Sequence, residues 1–216
     1  MTQPPAALRE RVLATRAATA GAPPGAWERR RGAALVVVAA WTVAATWYLE
    51  LRGNWDQLPG WYRGASLLLT LGIGAGLLLA GFWRGRYLTG PPVGVTRALA
   101  AAGPLAALAW VILVAYPTTP PKDWLTEAAS SIHCHIIGVV VALPALGALL
   151  WLRRGLVIPA PGLLGACLGA SAAAWSHAML FTVCPVGGAV HASLGHAMPS
   201  LPVMLIGALV GSRVFR

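Results

Sequence analysis

Six apolar stretches, each near the ~20 residues a helix needs to cross a bilayer, decide what this chain can fold into. They run over about 33–51, 65–83, 98–116, 132–152, 162–183 and 198–212. Hydrophobic residues make up 57% of the 216 and charged residues 10%. A soluble domain is nearer 45–50% and about 25%. That balance excludes an ordinary cytosolic enzyme and a disordered tail. The expected fold class is all-α: a polytopic membrane protein with six transmembrane helices over 33–216, preceded by a basic segment, 1–32. Pro104 and Pro144 fall inside spans 3 and 4 and are expected to kink them, with neighbouring helices re-satisfying the freed carbonyls. The sixth span is the shortest. Residues 1–32 are not a secretory signal, because the first apolar run begins only after Arg29, Arg30 and Arg31. No soluble passenger follows, which also argues against a twin-arginine signal.

The formal net charge of +10, from 16 Lys+Arg against 6 Asp+Glu, first raises the question of nucleic acid. Sorting the charges by loop answers it differently. Arg9, Arg11, Arg16 and Arg29 to Arg31 precede span 1. Arg84, Arg86 and Arg97 separate spans 2 and 3, Arg153 and Arg154 separate spans 4 and 5, and Arg213 and Arg216 end the chain. The opposite side holds only Arg52, Arg63 and Lys122, with Glu50, Asp56, Asp123 and Glu127. The positive-inside rule then puts both termini in the cytoplasm. The basic residues are topogenic, and no direct nucleic-acid partner is expected. Trp47, Trp55, Trp61, Trp83, Trp124 and Trp151 fall near span ends, where an aromatic belt belongs.

No acidic or basic residue sits at a mid-membrane position, which counts against an ion-coupled transporter. CxxC, HExxH, GxSxG and a Gly-rich phosphate loop are absent, so no enzyme is expected. The chemistry collects at one level instead. His133, Cys134 and His135 open span 4. Cys184 closes span 5, and His191 and His196 follow it. Spans 4 and 5 are antiparallel neighbours, so Cys134 and Cys184 reach the same outer level. Cys167 is roughly 25 Å away along span 5 and cannot join them. Three chemistries remain open there: a disulfide, favoured by an oxidising compartment; a site for a divalent heavy-metal ion, with Cys134 and Cys184 as ligands and the four histidines as auxiliary ones; and haem ligation by histidines. His177, roughly 10 Å deeper in span 5, is expected to hydrogen-bond inside the bundle. Gly72 and Gly76, and the line Gly165, Gly169 and Ala173, are expected to pack helices within the monomer.

On the inner side, residues 5–19 suit a short helix. Leu8, Val12 and Leu13 form its apolar stripe, and Gly21, Pro23, Pro24 and Gly25 break it. Such a helix is marginal alone and suits a partner's groove or anionic lipid, although a solvated topogenic tail explains its arginines equally well.

The layout resembles the NrsF-type negative regulators, inner-membrane anti-sigma factors for extracytoplasmic-function (ECF) sigma factors. The likeness lies in the short basic tail, the six spans, Cys134 opening span 4, Arg153-Arg154-Gly155, the prolines 159 and 161, and Cys184-Pro185 followed by His196. The resemblance implies a bacterial inner-membrane protein whose N-terminal segment sequesters an ECF sigma factor. It also implies that Cys134 and Cys184 sense a periplasmic metal or oxidant and trigger release. The alternative is a membrane redox or metal-handling protein, doing haem-linked electron transfer or metal transport through the same Cys/His cluster. A purely structural membrane subunit is a third reading.

Overall fold

The computed structural model describes residues 6, 9–10, 13–14, 25–51, 53, 55–83, 91–114, 123–154, 158–185 and 188–215. Six helices account for most of them: α1 (Ala26–Leu49), α2 (Gly60–Gly81), α3 (Val93–Val114), α4 (Trp124–Leu152), α5 (Pro161–Val183) and α6 (Ser200–Val214). A 3-10 turn (Trp55–Gln57) precedes α2. A helical turn (Ala189–His191) and a π-helical segment (Ala192–Ala197) lead into α6. No strand occurs among the described residues. α1, α2, α4, α5 and the run Ala192–Val214 are each long and apolar enough to cross a membrane; α3, of 22 residues, is apolar to its end at Val114.

Four helix starts precede the hydropathy reading by five residues or more. α1 begins at Ala26, so Arg29 to Arg31 form its first turns. Charges end a hydrophobic run, but they do not end a helix; Gly25, in the left-handed conformation at φ +75°, does. α2 begins at Gly60, directly after Pro59. α3 begins at Val93 instead of 98, directly after Pro91 and Pro92. α4 begins at Trp124 instead of 132, because the polar stretch 124–131 contains no breaker. Pro104 and Pro144 both lie inside continuous helices. Near Pro144, the Trp41 indole donates to the Val141 carbonyl at 2.8 Å, in the turn where a proline loosens the ladder.

α5 is the axis of the bundle. It contacts α1, α2, α3, α4 and α6, and most of its length is buried. The sequence permits this because α5 is built largely of Gly, Ala and Ser, which let backbones approach closely. Its tightest seam is with α6. A Cβ on Gly169 would lie 2.7 Å from the Val203 carbonyl oxygen, and one on Gly211 would lie 2.8 Å from Gly165 Cα. The Gly165/Gly169 line therefore packs within the monomer. Gly72 and Gly76 do not: both are exposed, with no atom within 4 Å of an added Cβ. Their neighbour Gly74 is the contact residue, against Trp175. Hydrogen bonds from Ser171 to the Gly74 carbonyl (2.7 Å) and from Ser176 to the Gly138 carbonyl (2.8 Å) tie α5 to α2 and α4. Val36, Val43, Leu68, Leu105, Ile136, Val140, Leu205 and Leu209 point outward, uncovered by protein, as lipid-facing positions do.

The two ends of the bundle differ in charge. One carries Arg29 to Arg31, Arg153 and Arg154. There the Trp27 indole donates to the Phe82 carbonyl at 3.0 Å, and Arg30 donates to the Arg154 carbonyl at 3.1 Å. Arg153 is fully buried at this end. Its Nε donates to the Gly81 carbonyl at 2.8 Å, and its guanidinium lies 4.8 Å from the centre of the Trp27 ring. The other end carries Glu50, Asp56, Arg63, Asp123 and Glu127. Trp47, Trp61, Trp83, Trp124 and Trp151 are all more than half exposed, in keeping with the aromatic belt.

Candidate functional site

Cys184 caps α5. Pro185 disfavours helical geometry in the residue before it, and Cys184 is accordingly extended (φ −80°, ψ 117°). Its side chain turns back onto α4. Cys134 lies on α4 on the same face as Glu127, Ser131, Gly138 and Ala142, a 3.6-residue period that is buried along its length. The two sulfurs stand 3.4 Å apart, buried, as free thiols.

His191 and His196 complete the cluster. Five residues apart, they would diverge on an α-helix. The π-helical segment brings them to one side, with ring centroids 5.2 Å apart. Its signature is the bond from Met198 N–H to the Ser193 carbonyl, five residues back, at 2.9 Å. Gly195 lets the segment lie against α4: a Cβ there would sit 3.3 Å from Cys134 Cβ. His191 Nε2 is 3.3 Å from Cys184 Sγ. Cys134, Cys184, His191 and His196 each offer a ligand atom, all within 4.8 Å of one another. Thiolate and imidazole are the donors that soft, tetrahedral divalent ions prefer. The hydrogen bond with Cys134 holds the Cys184 thiol well below the ordinary thiol range, against the effect of burial.

The other sequence candidates lie apart. His133 is exposed on the far side of α4. His135 donates from Nδ1 to the Leu194 carbonyl at 3.0 Å and straps the π-segment to α4. Neither is in the ligand group. His177 is buried, with its ring edge-on to Trp110 at 3.9 Å between centroids; His196 stacks on the same indole at 5.8 Å. His177 Nε2 reaches no hydrogen-bond partner among the described residues. Cys167 is buried elsewhere, beside the Leu77 carbonyl. Leu13 is helical and exposed; Leu8 and Val12 lie outside the described residues.

Three residues that the sequence reading left unassigned surround His191. Ser130 and Ser131 approach its Nδ1 at 3.0 and 3.4 Å, and the Glu127 carboxyl accepts from its main-chain N–H at 3.4 Å. The signal that finds Glu127 and Ser131 is the helical period they share with Cys134.

The cluster can therefore do one of two things: close the two sulfurs on each other, or gather around an ion. No curated protein and no solved structure matches the chain. A family model described as NrsF, negative regulator of sigma F, matches residues 13–216. A six-helix bundle with this thiol pair, matched over nearly its whole length, belongs to the NrsF family.

Proposed function

We propose that the chain is an inner-membrane anti-sigma factor that holds an ECF sigma factor at its cytoplasmic N-terminal segment. It lets go when Cys134 and Cys184, on the periplasmic side, meet a metal or an oxidant. The observation that carries this reading is the 3.4 Å thiol contact at the bundle end opposite the basic one, in a chain whose family is described as negative regulators of a sigma factor. The orientation follows from the positive-inside rule: the end with Arg29 to Arg31, Arg153 and Arg154 faces the cytoplasm. The stripe of Leu8, Val12 and Leu13 is the surface offered to the sigma factor.

The signal has to cross the bundle, and α4 is the element that spans it. Cys134 and Arg153 are nineteen residues apart on α4 and at its C-terminal cap, roughly 28 Å along the axis. Arg153 in turn stacks on Trp27, at the base of α1 and within the N-terminal segment 1–32. When the thiols join each other or an ion, α4 and α5 shift at the outer end, and Arg153 carries that shift to Trp27. The protein catalyses no reaction in this scheme; it changes which of two packings is stable. The redox or metal-handling alternative draws on the same four ligands. Against it, four protein ligands leave a tetrahedral ion without the open coordination position that a reactive metal keeps. Stoichiometric bound metal together with turnover, or the Soret band of a bound haem, would favour that alternative.

The test is transcription from a sigma-dependent promoter in cells carrying the full chain. Cys134→Ser and Cys184→Ser should each abolish induction by metal or oxidant. Unchanged induction in both overturns the sensing role.

A further inference from the structure

The hydroxyl protons beside His191 determine which of its ring nitrogens is available to a ligand. Ser130 Oγ lies 2.8 Å, and Ser131 Oγ 2.7 Å, from the Glu127 carbonyl oxygen. A carbonyl only accepts, so each serine commits its single hydroxyl proton there. Toward His191 Nδ1, at 3.0 and 3.4 Å, both oxygens can then only accept. Nδ1 therefore carries the ring proton. Nε2 keeps its lone pair, and that lone pair faces Cys184 Sγ at 3.3 Å. The main chain of His191 is fixed as well, through its N–H to the buried Glu127 carboxyl. Gly188 closes over that carboxyl at φ +117°; a Cβ there would sit 2.5 Å from Glu127 Cδ. One ring nitrogen donating to a fixed acceptor while the other faces inward is how metal-ligating imidazoles are held.

We infer that Cys134, Cys184, His191 and His196 form a four-ligand site for a soft divalent ion of the zinc class, with Ser130 and Ser131 orienting His191. This deepens the regulatory reading above, on which only its signalling consequence rests. The donor set is two sulfurs and two imidazoles, a combination that closed zinc sites use. Bonds of about 2.0–2.3 Å put the ligand atoms of a tetrahedral ion roughly 3.3–3.8 Å apart. The two sulfurs at 3.4 Å and Cys184 Sγ with His191 Nε2 at 3.3 Å already meet that spacing; all four atoms lie within 4.8 Å, so the widest pair closes by about 1 Å when an ion enters. The ligands come from α4, from the cap of α5 and from the turn and π-helical segment after it. An ion there ties together three pieces that are otherwise held by side-chain contacts. His133 and His135 stand outside the set.

The experiment uses the reduced full chain in lipid nanodiscs, titrated with Co²⁺ and followed by visible absorption. One Co²⁺ per chain is expected, with thiolate charge-transfer bands and strong tetrahedral d–d bands, displaced by Zn²⁺. The double variant Ser130→Ala/Ser131→Ala should keep the spectrum and weaken binding about 10–100-fold. His191→Ala and His196→Ala should each change the d–d bands, and His133→Ala should match the parent. The site is overturned if Co²⁺ binds the His191→Ala and His196→Ala variants with the parent's spectrum and affinity, or if the parent gives only weak octahedral bands. Either result leaves the thiol-based regulatory reading standing, since that reading is tested separately by transcription with the Cys134→Ser and Cys184→Ser variants. Near-identical far-ultraviolet circular dichroism across the serine variants separates lost orientation from lost fold.

Discussion

Replacing Gly169 with alanine perturbs the seam that holds α5 to α6, and Gly72 supplies its control. An alanine Cβ at 169 would lie 2.7 Å from the Val203 carbonyl oxygen and 2.8 Å from Met204 Cα. Ordinary carbon contacts lie near 3.5–4.0 Å, so the helices must part by roughly 1 Å. Both close atoms are backbone, and no side chain can turn away. A gap of that size forfeits a quarter to a half of each contact along the seam, and overpacking of this kind costs about 1–3 kcal/mol. Alanine also gains about 0.5–1 kcal/mol over glycine inside a helix, which partly masks the clash. Gly72→Ala isolates that gain, because nothing lies within 4 Å of its Cβ. Equilibrium unfolding in detergent, followed by tryptophan fluorescence, should therefore separate the two variants by about 1–3 kcal/mol, with Gly169→Ala the less stable. Equal stabilities would refute the close α5–α6 approach.

Three further outcomes follow from other contacts. Gly188→Ala combines a positive φ with a collision at the Glu127 carboxyl; it should cost about 1–3 kcal/mol and speed alkylation of Cys184 by a thiol reagent, and an unchanged alkylation rate contradicts it. Gly72→Leu/Gly76→Leu points into lipid and should raise stability by about 1–2 kcal/mol, the helix gain summed over two glycines; a loss instead means the face is covered. Arg153→Met keeps apolar volume while removing a buried cation, so unfolding should shift little; transcription should nevertheless become insensitive to metal and oxidant, and retained induction would exclude Arg153 from the signal path.

Much of the bundle was legible because a hydrophobic span is a composition signal that needs no tertiary context. Its ends were less so. Hydropathy stops at Arg31 and before Ile132, whereas the helices continue until a breaker such as Gly25 intervenes. That difference hid part of the site. With α4 begun at 132, Glu127 and Ser131 belong to a loop; with α4 begun at Trp124, they fall respectively two turns and one turn before Cys134 on its face. The pairing of the two cysteines was readable from antiparallel spans alone. The pairing of His191 with His196 was not, because a spacing of five places residues together only on a π-helix, and nothing local in the sequence announces one. The two glycine motifs had the same spacing and opposite fates: Gly165 and Gly169 meet Val203 and Gly207, while Gly72 and Gly76 meet nothing within 4 Å. Which face of α2 turns inward depends on α5, through Trp175 on Gly74, and not on α2 itself.

The central claim is that the outer thiol pair controls a sigma factor held at the other end of the molecule. Its most direct test is release from the purified complex. The full chain in nanodiscs is loaded with a partner ECF sigma factor, then exposed to Zn²⁺ or to a thiol oxidant, and the freed sigma factor is measured. The account predicts release from the parent and none from Cys134→Ser or Cys184→Ser. Release that is equal in all three, or a reduced parent chain that captures no sigma factor at all, would contradict it.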